Sequence, residues 1–105
     1  MDKSHEQQLV RRAMQEDRQA FEELCRLRGK SINCLCIQYL GNRQDAEDAT
    51  QEIFIKIYRA LPRLKSPEAF PVWLHTIIRN TCARFYRGKR DHLDLHTEEI
   101  IEALS

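Results

Sequence analysis

The chain has 105 residues, 42% of them hydrophobic and 31% charged, with three glycines and three prolines; that is the balance of one globular domain, and it excludes a disordered or collagen-like chain. No stretch approaches the ~20 apolar residues of a membrane span, and the polar N-terminus lacks a secretory core, so a cytoplasmic protein is expected. The net charge of +1 conceals an uneven distribution, because residues 53–90 hold nine Lys and Arg against the single acid Glu68, while residues 91–105 hold five acids and no Lys or Arg.

Every long segment reads at helical period, and no alternating strand pattern persists. Ser4 with Gln7 fits a capping box that opens a first helix with Leu9, Val10, Ala13 and Met14 on its apolar face. Asp17 caps a second helix, whose inner face reads Phe21, Leu24, Cys25, Ile32, Leu35, Cys36 and Tyr39. Gly41-Asn42 stops it. A third helix starts near Asp45, is lined by Ala46, Ala49, Ile53, Ile57, Ala60 and Leu61, and ends at Pro62.

Residues 62–68 form a polar loop with two prolines. Ser66-Pro67-Glu68 resembles the cap of a fourth helix, although Phe70-Pro71 offers a second start. That helix runs to about Arg87, with Phe70, Trp73, Leu74, Ile77, Ile78 and Thr81 spaced for burial and Gly88 as its terminator. Residues 91–96 read as linker, and Thr97-Glu98-Glu99 caps a short amphipathic piece from Ile100 to Leu104. The expected fold is all-α, a compact bundle of four main helices with a short C-terminal linker or helix.

Catalytic chemistry is poorly represented. There is no nucleotide-binding glycine loop, no nucleophilic triad signature, and no Glu-x-x-His pair of a carboxylate metal site. Cys34 and Cys36 form a C-x-C without a second pair, and His92 and His96 lack a third ligand. Reduced core cysteines are the expectation, with no enzyme activity, no metal and no cofactor.

Two surfaces carry information. On the third helix Asp48, Gln51, Glu52, Ile55 and Tyr58 form a stripe separate from the inner one. That stripe suits a partner helix, or it packs within the bundle. On the loop and fourth helix, Lys65, Arg79, Arg84, Arg87, Lys89 and Arg90 are interleaved with Phe70, Trp73, Phe85 and Tyr86. Cations with aromatics favour single-stranded nucleic acid. Phe70 and Trp73 also lie on the apolar stripe, where core packing competes with base stacking. The Asn80 amide can pair with a base edge or bond within its helix.

The run from Asp45 to Leu61 contains D-x-x-Q-E-x-F, and Phe70 to Asn80 contains F-x-x-W-L-x-x-I-x-x-N. With Glu16 to Phe21 and Tyr39 to Asn42, these resemble region 2 of the extracytoplasmic-function sigma factors over residues 5–90. The resemblance implies a sigma-2-like domain at 1–90 and an acidic linker segment at 91–105. It implies a non-enzymatic transcription initiation subunit of bacterial RNA polymerase that recognises and helps melt the promoter −10 element. Asp48, Gln51, Glu52, Ile55 and Tyr58 match the positions that dock on the coiled coil of the polymerase β′ clamp. The loop from Pro62 to Ala69 matches the one that captures a flipped non-template base, with Lys65 and Ser66 as contacts. Asn80 matches the asparagine that faces the −10 element. Phe70, Arg79, Arg84, Arg87, Lys89 and Arg90 complete the expected DNA-binding set. The family often has an acid or amide where this chain has Arg84. An anti-sigma factor is an implied partner, and a stand-alone sigma-like module under anti-sigma control is the alternative. The fifteen residues after position 90 are too few for region 4, so an excised domain is expected.

Overall fold

The computed structural model describes residues 3–91 and folds them into four α-helices joined by short turns. Helix α1 spans Lys3–Met14, α2 Arg18–Leu40, α3 Arg43–Ala60 and α4 Phe70–Asp91. No strand occurs among the described residues. Helix α2 is the centre of the bundle and packs on α1, α3 and α4.

The helix ends follow from local chemistry. The backbone N–H of Ala20 donates to the Asp17 carboxylate at 3.2 Å and caps α2. Gly41 closes the same helix in the left-handed conformation, φ 78°, and its N–H donates to the Ile37 carbonyl at 2.8 Å. Asn42 then caps α3, accepting from Asp45 N at 2.8 Å and donating its amide to the Asp45 carboxylate at 2.8 Å. The α1–α2 turn has no such glycine. Glu16 adopts φ 65° there, and the N–H groups of Glu16 and Asp17 donate back to Ala13 and Arg12. This is the Schellman pattern of helix ending, with a glutamate in the usual glycine place.

The inner stripes interlock as one core. Leu9 and Val10 of α1, Leu24, Ile32 and Cys36 of α2, Ile53 and Ile57 of α3, and Leu74, Ile78 and Cys82 of α4 are all buried. Glu6, beside the apolar face of α1, is also buried and pairs with Arg28 of α2, Oε2 to Nε 2.6 Å.

Four sequence expectations need correction. Ser4 lies inside the first turn of α1, because the helix already includes Lys3. Tyr39 is 50% exposed; its neighbour Leu40 takes the inward position as the helix ends. Gly88 does not stop α4, which continues to Asp91. Ser66 makes no side-chain cap; a single 3-10 turn, Pro67–Ala69, leads into α4 at Phe70. The His92/His96 pair, the 91–105 linker beyond Asp91 and the piece Ile100 to Leu104 lie outside the described residues.

Candidate nucleic-acid and partner interface

Helix α4 divides into a buried face and an exposed one. Phe70, Leu74, Ile78, Thr81 and Cys82 face the core. Val72, His75, Thr76, Arg79, Asn80 and Arg87 are exposed. At about 100° per residue, Arg79, Asn80 and Arg87 fall on one side of the helix with Val72 and Thr76. Two exposed cations therefore share a face with an exposed amide. Lys89 and Arg90 belong to the last turn of the same helix.

Phe70 does not join this face. It is 1% exposed and offers no ring surface to a base; its position on the apolar stripe gave it to the core. Half-buried Trp73 lies against it, ring centroids 5.9 Å apart. The loop before α4 is pinned by the same core. Leu61 and Leu64 are buried, and Leu64 N donates to Leu61 O at 3.0 Å within a 3-10 turn, Leu61–Arg63. Between these anchors Lys65 is left exposed and Ser66 half-buried, with extended backbone at both Leu64 and Ser66.

The second surface lies on α3. Asp48, Gln51, Ile55 and Tyr58 are exposed, and Glu52 is partly covered. Ile55 and Tyr58 are 49% and 60% exposed, so neither is spent on the bundle, although the Tyr58 ring meets Phe21 edge-on at 5.1 Å. Glu52 is held from α4: the Arg84 guanidinium pairs with its carboxylate, as does Lys56 Nζ at 3.4 Å. Lys56 also donates to the buried Thr81 hydroxyl at 2.9 Å. These four residues form one polar bridge from the α3 stripe to the turn of α4 that carries Asn80.

A helical domain with two such faces has known counterparts. The Sigma-70 region 2 family model matches residues 34–92. The chain belongs to the Sigma-70 region 2 family. It is 38% identical over 87 residues to the RNA polymerase sigma-H factor of Pseudomonas aeruginosa, covering 81% of this chain and 45% of that protein. It is 35% identical over 87 residues to the ECF RNA polymerase sigma-E factor of Escherichia coli K12, covering 81% and 45%. This region 2 domain thus spans about half the length of these curated relatives. Among solved structures it matches the NMR complex of an engineered region 2 of sigmaE with GTAAAA. The TM-score is 0.75 at 32% identity, over 86% of this chain and 94% of that one. These relatives make it a region 2 of the extracytoplasmic-function kind.

Sequence reasoning missed Lys56 and the Glu52–Arg84 pair in this region 2 domain. Glu52 and Arg84 lie on different helices, and spacing along one helix says nothing about which neighbour its edge meets. The i, i+4 spacing of Glu52 and Lys56 was the only available signal. A cavity of about 220 Å³ between the α1–α2 turn and the end of α3 was also not foreseen. Phe21, Tyr58, Leu61 and Pro62 line it with Arg18 and Arg59, and α4 contributes nothing to it. The cysteines divide by depth. Cys36 and Cys82 are buried with sulfurs 3.6 Å apart, and burial, then the Cys36 thiol, pushes Cys82 up to about 12. Among the described residues no group of three His, Cys, Asp or Glu side chains is placed to hold a metal, and no helix is long and apolar enough to cross a membrane.

Proposed function

We propose that this chain is the promoter-reading and polymerase-docking module of a bacterial sigma factor, acting in the cytoplasm and without catalytic chemistry of its own. The observation that carries the reading is the exposed Asn80, flanked by Arg79 and Arg87, in a fold matched to a region 2 solved with GTAAAA. Arg79 and Arg87, with Lys89 and Arg90, position the open strand through its phosphates. Asn80 and the 62–69 loop specify it. Capturing a flipped base costs a few kcal/mol of stacking, which a shaped loop and nearby cations offset. Lys65 and Ser66, held between the Leu64 and Phe70 anchors, are the loop's contacts.

The α3 stripe supports docking on the coiled coil of the polymerase β′ clamp. Asp48, Gln51 and Glu52 offer acceptors and an amide, and Ile55 and Tyr58 offer apolar surface already clear of the core. An anti-sigma factor is the regulator this reading expects. The docking half is tested by capturing core polymerase on the immobilised chain. Gln51→Ala with Glu52→Ala should weaken capture at least tenfold, and Lys65→Ala should leave it intact. Equal capture by the double variant would reject the α3 surface.

A further inference from the structure

The bridge between the two faces has a consequence for how they communicate. Arg84 sits one turn beyond Asn80, rotated by about 40° toward α3. Its side chain is 50% exposed, and its guanidinium is engaged with Glu52, whose side chain is 31% exposed. Glu52 belongs to the α3 stripe. One carboxylate therefore borders both faces and serves an arginine that stands at the edge of the basic one.

We propose that Glu52 competes with DNA phosphate for Arg84, so that partner docking and DNA binding reinforce each other through this one pair. The inference rests on the function proposed above. In the free domain the Glu52 carboxylate neutralises Arg84. A partner donor that takes over Glu52 releases Arg84 to swing toward the strand beside Asn80. Partly exposed ion pairs are weak and exchangeable, which is what a competitor requires. Lys56 keeps Glu52 near its place during the exchange, since it contacts both Glu52 and Thr81. Linkage makes the effect reciprocal: a strand that recruits Arg84 frees Glu52 for the partner.

A double-mutant cycle on the whole chain tests this, read by fluorescence anisotropy with a labelled single-stranded oligonucleotide containing GTAAAA. Glu52→Gln keeps the shape and removes the charge. It should tighten binding about threefold at low salt and steepen the salt dependence by about 0.7, the value of one added phosphate contact on a single strand. In an Arg84→Gln background the same change should give neither effect. Asp48→Asn, which removes an exposed acid one turn away, measures the general charge contribution, and thermal melts establish that each variant is folded. A gain from Glu52→Gln that persists without Arg84, or that Asp48→Asn reproduces, would overturn the competition while leaving the DNA-binding reading standing. Failure of every variant and of the unmodified chain to bind would overturn both.

Discussion

Asp17 serves two structural purposes with one carboxylate. It caps α2 through Ala20 N, and it pairs with Arg12 at 2.9 Å. The Ala20 hydrogen bond, followed by Arg12, holds this carboxyl below its ordinary 3.8. The folded pKa is therefore lower than the unfolded one. The stabilisation is fully present above the unfolded value and is lost as pH falls through the folded one. Asp17→Asn retains an oxygen acceptor but loses the charge. The variant should melt below the unmodified chain at pH 7, and the gap should narrow as pH falls below 3.8 and close once the folded carboxyl is protonated; thermal unfolding at a series of pH values checks it. The residue-level chemistry was unevenly legible. Asp17 was recognisable because a short polar side chain before an apolar run has one common use, whereas Asn42 read with Gly41 as the stop of α2 and in the structure caps α3. Phe70 remained ambiguous because an aromatic on a buried stripe and an aromatic beside a strand have the same spacing. Arg84 was assigned to DNA by charge alone, and only the packing of α3 against α4 revealed Glu52 as its partner.

At the scale of the element, α4 carries the clearest lesson. Gly88 reads as a terminator in sequence, yet the helix passes through it to Asp91. A methyl group added at Gly88 meets nothing within 4 Å, and its φ is not in the left-handed region. Gly88→Ala should therefore stabilise the domain by about 0.5–1 kcal/mol, since alanine gives up less backbone entropy in a helix. Urea unfolding followed by circular dichroism measures it, and a loss of stability would restore the terminator reading. Gly41 differs: its positive φ makes it the glycine that ends a helix here. The apolar periodicity located all four helices. It could not fix where α4 starts, because Pro67 and Pro71 each satisfy a first-turn position and the structure uses a 3-10 turn to join them. The Asp17 cap located the α1–α2 turn, but its left-handed closure was not legible, because Glu16 stands where composition rules look for glycine.

At the scale of the molecule, the small net charge resolves into opposed surfaces. Helix α3 presents acids beside Ile55 and Tyr58, and α4 presents Arg79, Asn80 and Arg87. The family was legible through the resemblance carried by D-x-x-Q-E-x-F and F-x-x-W-L-x-x-I-x-x-N, and the all-α bundle through the helical period of the apolar stripes. The bridge between the faces was not, because it depends on tertiary packing. The central claim is that the α4 face reads a single strand. It is tested by selecting from a random single-stranded library with this chain and with Asn80→Ala, then measuring Kd across a salt series. A defined sequence preference is expected of the unmodified chain, weakened about five- to thirtyfold by Asn80→Ala, a loss of about 1–2 kcal/mol, on a binding that weakens steeply with salt. Equal affinity for all sequences in both proteins, or binding indifferent to salt, would contradict it.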